Sequence, residues 1–344
     1  MSRRVLICPL DWGLGHATRC IPVIRQLLED NHEVMVAGSG ASLELLRLEF
    51  PSLFLFRIPT ATMRHFSEWP ALRLLLQAGK FRNMIEVEKK ETARIVKNEK
   101  IDRIISDNRY GCRYDGVRSA IIIHQVSIRT SPLFKPIVNS VNNTLINGFN
   151  ECWIPDTADH RLSGSLSVNG DIPARFIGPL SRMRSTGSTQ RRFELLALIS
   201  GPEPARTDFE NILRPQLTNS GRSYRIVQGL PSSGSSDANT FSHLASSQLN
   251  ELIEAAEVVI CRSGYSTIMD LAALKKKAIF VPTPGQTEQL YLAGEMQRKK
   301  IAPTMSQKQF NLQQALSQLK DYTGFTEDYF NNTLLQTTLR EFLD

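Results

Sequence analysis

No stretch of this sequence approaches the ~20 consecutive apolar residues needed to cross a bilayer, which excludes membrane-spanning helices. Cysteine is scarce and unpatterned. The five residues Cys8, Cys20, Cys112, Cys152 and Cys261 contain no Cys-x-x-Cys pair. Such usage argues against a disulfide framework or a structural zinc site, and for reduced thiols in a cytoplasm. The start, Met1-Ser2-Arg3-Arg4, leads into only six residues before Asp11, too short an apolar run for a secretory leader. No P-loop lysine is present, and no Asp-x-Asp metal motif closes a strand. Basic residues are not interleaved with aromatics, which speaks against nucleic acid as a partner. What remains is an ordinary globular composition: 344 residues, 41% hydrophobic, 22% charged and 8% aromatic. A disordered, collagen-like or coiled-coil chain is a poor fit to these values. At ~100–200 residues per domain the length predicts two domains.

The net charge of +7 is unevenly placed. Residues 1–180 carry five more basic than acidic side chains, residues 181–192 carry four arginines and no acid, and residues 193–344 carry two more acids than bases. A basic first half suits an anionic partner, although an excess this small also suits an ordinary solvated surface. The Ser/Gly/Arg-rich stretch around 178–192 lacks any helical or strand period. It is the natural boundary, giving a domain over 1–180, a linker over 181–192 and a second domain over 193–344, with the last helix able to pack back on the first domain.

On both sides of that boundary, short apolar runs alternate with helical patterns. Strands are predicted at 4–9, 33–37, 101–106 and 120–124, then at 195–200, 224–229, 258–261 and 278–282. Helices are predicted near 209–217, 248–256, 267–274 and 288–299. Pro22 at a first helical position places another helix after a long loop over 10–20. The fold class is therefore α/β: two Rossmann-like domains with parallel sheets, facing across a cleft, with ligands beyond the strand C-termini. Residues 231–240 read as a surface loop.

Three constellations fall at strand ends. In Asp11-Trp12-Gly13-Leu14-Gly15-His16-Ala17-Thr18-Arg19, the glycines allow a tight turn and close approach of a substrate. Thr18 stands where a dinucleotide fingerprint needs its third glycine. His16 is able to act as a general base near neutral pH, or merely to cap the helix; the residues leave both readings open. In Cys261-Arg262-Ser263-Gly264-Tyr265-Ser266-Thr267-Ile268-Met269-Asp270, hydroxyls and free N–H groups at a helix start suit a diphosphate. Asp270 is placed one turn further on to accept from a ribose diol, or is simply a surface acid. In the third, Pro282, Pro284 and Gly285 stiffen a loop. Glu288 and Gln289 follow it in a first helical turn, where they suit sugar hydroxyls or a routine polar helix start.

Together these residues resemble the GT-B glycosyltransferases, specifically the family-28 group that contains the peptidoglycan N-acetylglucosaminyltransferase. The most specific part is Cys-Arg-Ser-Gly-x-x-Thr-x-x-Asp-x-x-Ala followed by the Val-Pro loop and Glu288-Gln289. Gly13-Leu14-Gly15-His16 is similar to that group's N-terminal glycine-histidine loop, His124-Gln125 to its His-Glu-Gln stretch, and Ser200-Gly201 to its Gly-Gly-Ser turn. The resemblance implies a UDP-sugar as donor substrate, with no cofactor and no metal. It implies donor contacts from Ser200, Gly201, Leu244, Ala245, Arg262, Ser263, Gly264, Ser266, Thr267, Asp270, Glu288 and Gln289. Leu244 and Ala245 are expected at the end of a strand, near uracil. Acceptor contacts are implied for Gly13, Leu14, Gly15, His124 and Gln125. Glu288 stands where the group has the first of two glutamines.

The expected activity is an inverting, metal-independent transfer of a sugar to an acceptor hydroxyl. His16 is the expected base, and Asp107 is either the alternative base or the residue that orients His16. A UDP-sugar 2-epimerase and a non-catalytic nucleotide-sugar-binding protein are the competing functions. Residues 50–58 and 69–87 mix large apolar side chains with Arg57, Arg73, Lys80 and Arg82. Such a segment suits peripheral contact with the inner face of an anionic membrane and a lipid-linked or anionic acceptor. A helix packed on the sheet through Leu72, Leu75, Leu76 and Phe81 is the competing, favoured reading.

Overall fold

Strands that are apolar along their whole length must be covered on both faces, and two parallel sheets satisfy this. The computed structural model describes residues 2–59, 70–128, 134–168, 172–187, 192–230, 237–330 and 332–344, with backbone alone at 70–78 and 332. The first unit runs through β1 (Arg4–Pro9), α1 (Leu14–Glu29), β2 (Glu33–Gly38), α2 (Gly40–Glu49), β3 (Phe54–Arg57) and α3 (Pro70–Glu99). It continues through β4 (Arg103–Asp107), β5 (Arg118–Ile122), α4 (Lys135–Ile146), β6 (Glu151–Ile154) and β7 (Ala174–Phe176). The second contains β8 (Phe193–Leu198), α5 (Ala205–Thr218), β9 (Tyr224–Val227), β10 (Thr240–Phe241), α6 (Ser246–Ala255) and β11 (Ala256–Cys261). After these come α7 (Tyr265–Ala273), β12 (Lys277–Phe280), α8 (Thr287–Arg298) and α9 (Leu312–Gln318). The last helix, α10 (Asn332–Leu343), returns to the first unit, which comprises 1–180 and 330–344; the second comprises 181–329.

All strand pairs are parallel. The sheet of the first unit has the order β3-β2-β1-β4-β5-β6-β7, and that of the second β10-β9-β8-β11-β12. In register, Ile7 lies opposite Val36 and Ile105, and Pro9 opposite Asp107; in the second unit Val259 lies opposite Leu196. Each order reverses once, between β1 and β4 and between β8 and β11. Diverging loops at such a reversal open a crevice beyond the strand ends, where α/β sheets bind ligands. Every predicted strand is present within two residues at its ends, so the α/β, doubly Rossmann-like reading holds.

Helix α1 differs from expectation. It starts at Leu14, and Pro22 lies inside it. The missing Pro22 N–H removes one bond to the preceding turn. The apolar stripe outweighs that loss: Ala17, Cys20, Ile21, Ile24 and Leu27 are all buried at helical spacing. The helix is stopped upstream by Gly13, whose φ of 139° breaks the helical path. There is consequently no long loop over 10–20, and His16 sits in the first turn of α1.

Two other expectations change. Residues 181–187 are not a free linker: Asn250 of α6 bonds the backbone of Arg184 on both sides, and Glu254 accepts from Thr186. The basic amphipathic segment lies on α3. Residues 60–69 and the side chains of 70–78, including Arg73, Leu72, Leu75 and Leu76, fall outside the described residues. In the described part, Phe81 packs edge-on against Tyr110, and Met84 and Ile85 are buried, as a core helix requires. The predicted loop at 231–240 is described only from Asp237 onward. Among the described residues, no helix is long and apolar enough to cross a membrane.

Candidate active site

In the first unit, the reversal of strand order brings α1 beside the end of β4. His16 Nδ1 lies 2.6 Å from Asp107 Oδ1. Arg19, one turn along α1, donates from Nε and Nη2 to the two oxygens of Asp107 at 2.9 and 2.6 Å. Its Nη1 lies 2.8 Å from Nδ1 of His124, in the loop after β5. Asp107 is fully buried and Arg19 and His124 nearly so, whereas the His16 side chain keeps 16% of its surface exposed.

Burial by itself opposes ionisation of Asp107. The Arg19 guanidinium and the His16 ring outweigh it and hold the carboxyl at about 2. Burial pushes His16 below the usual histidine range, and Asp107 only partly reverses this. At neutral pH His16 is thus an uncharged imidazole. The neutral tautomer that donates Nδ1–H to the Asp107 carboxylate leaves the lone pair on Nε2. Asp107, with both oxygens engaged and no exposed surface, is placed to orient His16.

The loop before His16 is braced from α2. Asp11 accepts from the Ser42 backbone N–H at 3.1 Å, and the Ser42 hydroxyl donates to Leu10 O at 3.1 Å. This is possible because residue 40 is glycine: a Cβ there would lie 2.0 Å from Asp11 Oδ2. Gly13 is the residue before α1, Leu14 and Gly15 lie in its first turn, and Gln125 is half-buried beside His124.

In the second unit, Ser200 and Gly201 follow β8, and 261–264 run from β11 into α7, whose N-cap is Gly264. Ser266 and Thr267 lie half-buried in the first turn of α7. The Arg262 side chain is turned inward. It is 1% exposed, stacks 4.2 Å from the Phe209 ring and donates to the carbonyls of Ser200, Val281, Pro282 and Ala205 and to Gln307 Oε1. Burial lowers it to about 10, so it stays cationic at neutral pH. The fork of five donors ties together the loops after β8 and β12.

Other predicted donor residues are also engaged. The Ser263 hydroxyl donates to Gln289 O at 2.8 Å. The Gln289 amide accepts from Thr283 N–H and donates to Gln286, so it braces the loop before α8, while Glu288 lies half-buried beside it. Asp270 is held by the Ser181 hydroxyl at 2.7 Å and faces Arg182 at 3.5 Å. Burial raises its pKa despite these partners. Leu244 and Ala245 are not at a strand end. β10 stops at Phe241, and Ala245 is the N-cap of α6.

Residues 226–336 match the model of the glycosyltransferase family 28 C-terminal domain, a span that covers the Arg262–Asp270 and Pro282–Gln289 constellations. Over those residues the chain is similar to the family-28 C-terminal domain. Similar solved structures share its GT-B fold along the whole chain. The glycosyltransferase SnogD from Streptomyces nogalater is 12% identical with a TM-score of 0.69, covering 100% of both chains. The spinosyn rhamnosyltransferase SpnG complexed with thymidine diphosphate is 14% identical with a TM-score of 0.63, covering 99% of this chain and 100% of the other. MurG from Acinetobacter baumannii is 13% identical with a TM-score of 0.55, covering 99% and 94%. A search of curated proteins with this sequence gave no match.

Arg19 was not singled out from the sequence. The signal was available: α1 is apolar wherever it faces the sheet except at Thr18 and Arg19, and an arginine on a buried helix face demands a partner.

Proposed function

We propose that this protein is a glycosyltransferase that moves a sugar from a UDP-sugar to an acceptor hydroxyl, inverting the anomeric carbon without a metal ion. The Asp107–His16 pair carries the proposal. Nε2 of His16 takes the acceptor proton as the acceptor oxygen bonds the anomeric carbon. The bond from that carbon to the diphosphate breaks, and its electron pair leaves with UDP. The helix opening at Ser266 and Thr267 meets the growing charge with N–H dipoles and hydroxyls. The thymidine diphosphate held by SpnG supports a nucleoside diphosphate as the leaving group. The ribose exchanges with the Ser181 hydroxyl at Asp270, and Glu288 contacts the donor sugar.

His16→Ala is the test. General base assistance is typically worth ~10²–10⁴-fold, so turnover is expected to fall by that range while UDP binding persists. Unchanged turnover removes His16 from the chemistry. A thermal-shift panel of UDP- and dTDP-sugars identifies the donor, because a ligand at about 100 times its Kd adds ~2.7 kcal/mol.

The acceptor is proposed to be anionic or lipid-linked, reached by peripheral contact with a membrane. The exposed Lys80 and Arg82 on α3 and the exposed Ile137 and Val141 on α4 support this. Absence of binding to anionic liposomes ends that reading.

A further inference from the structure

Arg19 belongs to no step of the proposed reaction, yet it touches His16, Asp107 and His124 together. Its Nε and Nη2 take the two oxygens of Asp107, and its Nη1 meets Nδ1 of His124 at 2.8 Å. A guanidinium has donors only. The Nδ1 of His124 must therefore accept, and the proton of the neutral ring lies on Nε2. At His16 the partner has the opposite character. Its Nδ1 faces a carboxylate oxygen at 2.6 Å, so that nitrogen carries the proton. Arg19 Nη2 also lies 2.8 Å from His16 Nδ1, because both groups converge on Asp107 Oδ1. Were that nitrogen bare, two lone pairs would meet at 2.6 Å beside it.

We infer that Arg19 is a positioning residue: directly it fixes His124 with Nε2 protonated, and through Asp107, which it holds as the charged acceptor of the His16 Nδ1–H, it leaves His16 with Nε2 bare. The site then offers a proton acceptor on α1 and a ring that can only donate after β5. The chemical consequence rests on His16 being the base; the tautomers do not. The charged and titratable groups that face His16 are Asp107 at the end of β4, Arg19 on its own helix and His124 after β5. Arg19 lowers the affinity of His16 for a proton, so removing the cation raises it. Lysine keeps the charge but has no planar fork to span a carboxylate and an imidazole together.

The experiment records ring ¹⁵N–¹H correlation spectra of the full chain, whose six histidines are assigned with His16→Gln and His124→Gln. Wild type is expected to show Nδ1–H at His16 and Nε2–H at His124. Arg19→Lys and Arg19→Gln are expected to abolish the preference at His124. In Arg19→Gln the acid limb of the kcat profile moves to higher pH, and kcat at neutral pH falls by about 10²-fold, with the donor KM little changed. In Arg19→Lys the acid limb stays near its wild-type position. Should Arg19→Gln fail to fold, as melting will show, Arg19→Lys alone decides through the His124 spectrum. Both rings in one tautomer in wild type, or a His124 spectrum unmoved by the Arg19 substitutions, overturns the inference. Full turnover in His16→Ala with the wild-type spectra as expected refutes the base and leaves the inference about Arg19 standing.

Discussion

Asp107 is a residue whose chemistry depends on its neighbours. An isolated buried carboxyl resists ionisation, and only the guanidinium and imidazole beside it keep it charged. A depressed pKa stabilises the fold above the unfolded-state value of ~3.9, and that stabilisation is lost as pH falls toward about 2. The contribution is on the order of 2 kcal/mol. Urea unfolding between pH 5 and pH 2 is expected to show this loss in wild type and not in Asp107→Asn. That variant should start from a lower stability by about 3–5 kcal/mol, because it leaves Arg19 buried without its counter-charge. His16 and Asp107 were both legible as strand-end polar residues. Arg19 was not read because its role exists only once β4 lies beside α1.

At the scale of elements, eight strands were legible to within two residues because burial on both faces leaves no polar alternation to blur them, whereas the short β3, β6, β7 and β10 were not read. Helix α1 was misplaced because Pro22 was given more weight than the stripe of Ala17, Cys20, Ile21 and Ile24 that surrounds it. The loops of the second unit show a different limit. Arg262 stands inside the family-like motif, and nothing in its spacing reveals that it turns inward to five acceptors. Arg262→Lys is expected to lower the stability of the second unit by about 3 kcal/mol, since several buried carbonyls lose their only fork-shaped donor. Chemical denaturation monitored at a second-unit site checks it. Gly40→Ala should displace Asp11 from the start of α2, given the 2.0 Å approach, and loosen the loop before His16. Its signature is a raised acceptor KM with melting lowered only modestly.

For the whole molecule, the basic excess of the first half changes meaning. Arg3 donates to Leu343 O at 2.9 Å, Arg103 to Phe342 O at 2.8 Å and Arg118 to Glu341 O at 3.1 Å. Three arginines that could have been assigned to an anionic partner instead cap the C-terminus of α10, where the helix dipole favours cations. Phe342 seals the contact, edge-on to the buried Trp153 at 5.0 Å between centroids. Phe342→Ala is expected to cost about 3–5 kcal/mol in the first unit and little in the second. Differential scanning calorimetry that resolves two transitions would show only the first one shifted.

Composition and periodicity alone determined two parallel α/β units, the positions of most strands and, within each unit, the placement of His16 and Asp107 or of the Arg262–Asp270 segment beyond strand ends. These follow from local patterns, since burial on both faces of a sheet and one face of a helix is written every two or four residues. The tertiary structure alone decided which polar side chains meet: Arg19 with Asp107 and His124, Asp270 with Ser181, and the first-half arginines with the end of α10. Those pairings join residues from 88 positions apart, as between Arg19 and Asp107, to 340, as between Arg3 and Leu343. A buried charge must find its partner in space, and no local period records where that partner lies.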